Sequence, residues 1–163
     1  MEKGVRDATV VIGLGSPIMC DDAVGLRIAE EVERLKLKNV ETRQEAVGGL
    51  DIIPLVTGFR FAVIVDCIRT GAVEPGTVML FDPEDFESTV ASASPHDVNL
   101  ATALKIGRQM DPEYMPDAVK YVAVEAEDIQ TVSETMTPAV EASVPSAVSA
   151  VLHLIDTFWS SRS

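Results

Sequence analysis

Cysteine is scarce in this sequence, with Cys20 and Cys67 the only two among 163 residues. Two cysteines cannot provide the disulfide framework of a small secreted domain. Long apolar runs are also lacking, since no stretch reads as the ~18 consecutive apolar residues of a membrane span. The polar opening "MEKGVRD" does not resemble a signal peptide. These absences predict a cytoplasmic protein that does not engage a membrane.

Basic residues are few as well, at 13 Lys and Arg against 26 Asp and Glu, which gives a net charge of −13. A surface of this sign repels nucleic-acid phosphates and anionic lipid headgroups. We therefore expect neither nucleic acid nor a membrane as a partner, and we expect a monomer.

Hydrophobic residues are plentiful, at 47%, and they alternate between strand-like and helix-like patterns. Glycine- or turn-bounded apolar runs predict strands at 8–14, 60–68, 74–82 (after a Pro-Gly turn) and 118–126, and a weak alternation predicts a more exposed strand at 40–46. A stripe of Val24, Ile28, Val32 and Leu35 predicts a helix that starts near Asp21. Further helices are predicted up to Met110 and over 135–159, with Pro145 expected to kink or restart the last one. The pattern predicts one α/β domain over 1–163, a mostly parallel twisted sheet with helices on both faces.

The loop after the first strand, "GLGSPIMCDDAVG", resembles a phosphate-binding loop only in part. A dinucleotide fingerprint needs a small residue where this chain has Ile18, and Pro17 lies inside the loop. Gly13 and Gly15 are instead expected to permit a backbone or a peptide to approach closely.

Acidic and imidazole side chains follow three of the predicted strands. One member of the Asp21–Asp22 pair is expected to cap the helix, which leaves the other facing the crevice. Asp66 lies near the end of the third strand, and His96 begins a helix after the fourth, where it should stay neutral. Because functional crevices lie at the carboxyl ends of strands, these residues predict a divalent-metal site. Nitrogen and oxygen ligands admit nickel, zinc, iron or manganese.

The remaining reactive side chains have structural interpretations. Cys67 is expected to be a buried small hydrophobe, and Cys20 a spectator next to a helix start. His153 is expected to be a packed or boundary residue of the last helix. No serine or cysteine arrangement for acyl-enzyme chemistry is visible.

The segment "VIGLGSPIMCDDAVGLRIAEEV" resembles the opening of the hydrogenase maturation proteases, the endopeptidases of NiFe hydrogenase assembly. The resemblance continues through "VIVDCI", "EPGTV", "SPHDVNL" and "TMTPAVEASV". It implies an α/β sandwich around a five-stranded sheet and a metal-binding trio at Asp22, Asp66 and His96. Two positions depart from the family pattern: Ser16 replaces the usual Asn, and Val47 replaces an acid that often precedes the glycine pair.

The resemblance also implies an activity. The chain would bind the precursor of a hydrogenase large subunit and remove its C-terminal extension once nickel is installed. Nickel would arrive with the precursor, although other divalent metals fit the same ligands. Gly48 and Gly49 would line the groove for the peptide.

Two other functions remain open on sequence grounds. A receiver-like phosphoacceptor domain also carries an acid pair and a strand-end aspartate, but it needs a lysine at the end of the fifth strand, where "VKYVAVEAED" has its lysine at the start. A metal-dependent hydrolase of a small substrate would use the same trio without a protein partner.

Overall fold

The computed structural model describes residues 4–46, 51–85 and 100–162. Its strands are β1 (Arg6–Leu14), β2 (Val40–Glu45), β3 (Phe59–Ile68), β4 (Val78–Phe81) and β5 (Ala118–Glu125). Its long helices are α1 (Val24–Arg34), α3 (Leu100–Met110) and α4 (Pro138–Ser160). A short helix, α2 (Ile52–Val56), lies between α1 and α3 in the chain.

The sheet has the order β2-β1-β3-β5-β4. Four strands run parallel, and β4 pairs antiparallel with β5. The predicted mostly parallel α/β sheet is confirmed. The order also places β1 beside β3, so the loops that leave their carboxyl ends emerge next to each other.

Each face of the sheet carries its own core. One cluster joins alternate strand residues such as Ile12, Ile64 and Tyr121 to α2 and α3. The other joins Val11 and Val65 to α1 and α4. The period-2 alternation of strand side chains produces this division, because neighbouring residues point to opposite faces.

The C-terminal helix α4 differs in part from its prediction. It continues through Pro145 as one helix, so the proline does not restart it. By length and composition alone it could span a membrane, with a mean hydropathy of 1.3. Its inner face nevertheless packs on the sheet, where the Phe158 ring stacks on Phe61 with centroids 4.3 Å apart and the Trp159 indole donates a hydrogen bond to Thr9 at 2.8 Å.

Three smaller expectations are also corrected. The first helical turn after β1 is a separate 3₁₀ helix, Cys20–Ala23, which precedes α1. Leu35 lies past the last buried position of the predicted stripe and is 49% exposed. His153 is exposed on α4, so it is not a packed residue.

Candidate functional site

The two adjacent aspartates after β1 lie in the 3₁₀ helix, and both are buried, with 0% exposure for Asp21 and 5% for Asp22. A 3₁₀ helix has three residues per turn, so neighbouring side chains point about 120° apart. The pair therefore faces two different parts of the protein, and its members have different environments.

Asp21 binds the segment that connects β5 to α4. Its Oδ2 accepts hydrogen bonds from the backbone N–H groups of Glu127 and Asp128, each at 2.9 Å. Its Oδ1 accepts the backbone N–H of Thr137 at 2.7 Å and the Thr137 hydroxyl at 2.9 Å. Since Thr137 is the N-cap of α4, Asp21 fixes the start of a helix distant in sequence.

Neither aspartate caps the helix that follows it, which corrects the prediction from the sequence. The N-cap of α1 is Ala23, with no side-chain capping bond. The expectation that one acid has a structural role still holds for Asp21, although it stabilises the 127–137 segment instead of α1.

Asp22 faces β3 and meets Cys67 there. The Cys67 thiol donates to Asp22 Oδ1 with the sulfur 3.1 Å from the oxygen. Cys67 is fully buried, and burial, followed by the nearby charges of Asp66 and Asp22, raises its pKa well above the usual value of a thiol. The thiol is therefore protonated in the metal-free protein. It is buried as predicted, but its polar contact with Asp22 was not predicted.

Asp66 is fully buried near the end of β3. Its Oδ1 accepts the backbone N–H of Cys67 at 2.8 Å, and its Oδ2 accepts the hydroxyl of Tyr121 at 2.9 Å. Tyr121 pairs with Ile64 on the neighbouring strand, two residues before Asp66, so both side chains project from the same face. The two hydrogen bonds fix the orientation of the carboxylate.

Asp22, Asp66 and Cys67 form one cluster, with a ligand atom from each lying within 4.8 Å of the other two. Metal–oxygen bonds of about 2.0–2.2 Å and metal–sulfur bonds of about 2.3 Å place two ligands of one ion at most roughly 4.5 Å apart. The donor set and its spacing therefore fit a divalent cation after shifts of a few tenths of an ångström.

Close backbone packing brings the 3₁₀ helix to the strand ends. A Cβ at Gly25 would lie 2.4 Å from the carbonyl oxygen of Leu14 and 2.5 Å from that of Val65. At Gly15, whose φ is +155°, a Cβ would lie 2.0 Å from the carbonyl oxygen of Asp22. The glycine loop thus permits a close approach, as predicted, and the chain's own backbone makes it.

Three predicted site residues lie outside the described residues. They are His96, the third member of the expected metal trio, and the glycine pair Gly48 and Gly49. The structure therefore brings together Asp22 and Asp66, adds Cys67 and Tyr121 to their surroundings, and leaves the other three positions as predictions.

The environment of Asp66 argues against a phosphoacceptor. A phosphoacceptor of that class needs a lysine within reach of the aspartate, whereas the Asp66 carboxylate accepts hydrogen bonds from the Cys67 N–H and the Tyr121 hydroxyl. Lys120 pairs with Asp82 at 2.5 Å instead. The sheet order, with an antiparallel β4 at its edge, also differs from the 2-1-3-4-5 order of receiver-type folds.

Comparison with known proteins decides the family. A family model described as hydrogenase maturation protease matches residues 26–154. The chain belongs to the hydrogenase maturation protease family. This confirms the resemblance drawn from the sequence, and it assigns the chain to a family of peptidases.

One relative by sequence and two solved structures illustrate how similar this chain is to known proteins. The hydrogenase 2 maturation protease of Escherichia coli (strain K12) is 28% identical over 146 residues, covering 88% of this chain and 87% of that protein. The hydrogenase maturating endopeptidase HybD from E. coli superposes with a TM-score of 0.77 at 26% identity, over 92% of this chain and 93% of the other. The NiFe hydrogenase maturation protease HybD from Thermococcus kodakarensis has the same fold, with a TM-score of 0.72 at 22% identity over 90% and 98%.

Proposed function

We propose that this protein is a cytoplasmic, monomeric endopeptidase that removes the C-terminal extension of a NiFe hydrogenase large-subunit precursor after nickel insertion. The observation that carries this proposal is the meeting of Asp22 and Asp66. The two carboxylates come from different strand ends, are almost completely buried, and lie within 4.8 Å of each other. Family membership supplies the reaction class, and this acidic cluster supplies a means to recognise the nickel of the precursor.

In this proposal the residues of the chain have separate roles. Asp22, Asp66 and His96 bind the nickel that the precursor carries as cargo, and this contact positions the scissile bond. Gly48 and Gly49 line the groove that holds the extended tail. A carboxylate of the cluster accepts a proton from the attacking water, which adds to the scissile carbonyl. The bond to the leaving amine then breaks as that amine takes up the proton.

The test compares two forms of the same precursor. Nickel-loaded and nickel-free large subunit are incubated with the protein, and mass spectrometry follows the loss of the C-terminal extension. We expect cleavage of the nickel-loaded form alone. Cleavage of neither form would overturn the proposal, whereas equal cleavage of both would overturn the part that concerns nickel recognition.

Variants locate the site within this assay. Asp22→Ala and His96→Ala should each abolish cleavage, and Asp156→Asn, an exposed aspartate on α4, is the matched control that should process at the normal rate. Normal processing by either site variant would show that the assignment is wrong. Hydrolysis of a small chromogenic amide without any precursor would favour the small-substrate alternative.

A further inference from the structure

We propose that Cys67 is a further metal ligand beside Asp22 and Asp66, so that this chain itself holds a mixed sulfur–oxygen site for a thiophilic divalent cation. The inference rests on the proposed function only in placing a metal between the two aspartates. It does not depend on whether a peptide bond is cleaved.

The position of the thiol carries the inference. Cys67 Sγ lies 3.1 Å from Asp22 Oδ1 and belongs to the cluster whose ligand atoms all lie within 4.8 Å of one another. Strand alternation should send the side chains of Asp66 and Cys67 to opposite faces of the sheet. The Asp66 carboxylate nevertheless turns one oxygen, Oδ1, back to the Cys67 N–H at 2.8 Å, and an oxygen of this carboxylate lies within 4.8 Å of the thiol sulfur.

The chemistry of the donors then predicts which cations bind. Two carboxylates alone suit hard cations such as Mg²⁺ and Mn²⁺, whereas a thiolate favours softer ions such as Zn²⁺ and, on the same ground, Ni²⁺. Only the thiolate form ligates a metal. Binding therefore breaks the S–H bond, forms a metal–sulfur bond and releases one proton to solvent.

The second cysteine lacks these features although it is also buried. Cys20 Sγ lies 3.9 Å from Asp21 Oδ1, and the oxygens of Asp21 already accept three backbone N–H groups and a hydroxyl. The carboxylate nearest in sequence to Cys20 is therefore already engaged by four donors, and Cys20 is the matched control for Cys67.

The experiment uses the purified, metal-free protein without precursor. Ni²⁺ is titrated while near-ultraviolet absorbance records the sulfur-to-metal charge-transfer band and equilibrium dialysis measures Kd. We expect the band in the unmodified protein and in Cys20→Ser, and its loss in Cys67→Ser. The Kd of Cys67→Ser should rise by more than about tenfold. Loss of a group that only hydrogen-bonds to a metal ligand already weakens metal binding by at least about that factor, and loss of a ligand should weaken it more. Mg²⁺ should produce no band and should not compete.

Several results would overturn the inference. They are a band that persists in Cys67→Ser, nickel binding without a band in the unmodified protein, or no nickel binding at all. Circular dichroism checks that each variant is folded, and Cys67→Ala provides a second substitution if the serine variant is not. The proposed function fails separately, by the absence of precursor cleavage, so the two failures are distinguishable.

Discussion

Changing each aspartate of the adjacent pair to its amide should separate folding from processing. Asp21→Asn alters a side chain that binds four donors from the 127–137 segment. Asp22→Asn alters a side chain whose Oδ1 accepts a hydrogen bond from the Cys67 thiol. The first substitution should reduce stability, and the second should abolish cleavage while the protein remains folded.

The magnitude follows from counting donors. Asn has one carbonyl oxygen, so it can accept hydrogen bonds either from the Glu127 and Asp128 N–H groups or from the Thr137 N–H. Its NH₂ group, itself a donor, then faces the N–H groups on the other side. At least one buried N–H group loses its acceptor, at a cost of about 1–3 kcal/mol, and the remaining bonds lose their charge assistance. We expect Asp21→Asn to lower the free energy of unfolding by about 2–4 kcal/mol.

The corresponding cost at Asp22 is smaller. An amide oxygen can still accept the Cys67 thiol, so Asp22→Asn should change stability by less than about 1.5 kcal/mol, the value of a single net hydrogen bond. Urea unfolding followed by circular dichroism measures both values. With a slope of about 2 kcal/mol/M, the midpoint of Asp21→Asn should fall by about 1–2 M. A normal midpoint for Asp21→Asn, or an equal loss in Asp22→Asn, would refute the division of roles.

Three further substitutions test a close backbone contact, a buried hydrogen bond and a proline inside a helix. Gly25→Ala should lower the free energy of unfolding by about 1–3 kcal/mol, as measured in urea, because the new Cβ meets strand carbonyl oxygens at 2.4 and 2.5 Å. Tyr121→Phe keeps the ring but removes the hydroxyl 2.9 Å from Asp66, so it should cost about 1–2 kcal/mol and slow precursor processing. Pro145→Ala restores a backbone N–H inside α4 and should raise the Tm by a few degrees in calorimetry.

Matched variants control for general effects of these changes. Tyr114→Phe alters a tyrosine that is 43% exposed and should leave stability and processing unchanged. Pro138→Ala alters a proline in the first turn of α4, where proline is favourable, so it should not raise the Tm. A wild-type urea midpoint for Gly25→Ala would show that the helix does not approach the strands so closely. A wild-type rate for Tyr121→Phe would show that its bond to Asp66 is dispensable.

Strand positions were predictable because most strands have an apolar run bounded by turn residues, and β2 has a weak alternation. The run at 60–68 became β3 at Phe59–Ile68, and the run at 8–14 became β1 with two more residues at its start. Strand order and the antiparallel direction of β4 could not be predicted in the same way, since they depend on contacts between distant segments. Pro145 was expected to kink or restart α4 because proline disfavours a helix interior. The helix does not restart there, since its packing on the sheet stabilises it.

The site was predictable in part for the same reason. Asp22 follows one buried strand and Asp66 lies near the end of another, and strand ends gather at one edge of a sheet. The partners of Asp21 could not be inferred, because they are backbone N–H groups far along the chain. Tyr121 required the register of β3 and β5. Cys67 was predicted to be a buried small hydrophobe because it lies in an apolar run, and that pattern does not show which carboxylates of other segments its thiol meets.

The buried acids of this protein differ in what surrounds their charge. Asp21 is surrounded by backbone N–H groups, and Glu125 likewise accepts the N–H groups of Thr70 and Gly71 at 2.9 and 3.1 Å. Fixed peptide dipoles thus replace water around these two carboxylates, whose role is to hold loops. Beside Asp22 and Asp66 the third group is the Cys67 thiol, whose pKa is raised by burial and then by the charges of Asp66 and Asp22. A divalent cation reverses that balance, since it attracts all three groups at once. The same three residues would therefore favour a metal delivered by the proposed substrate.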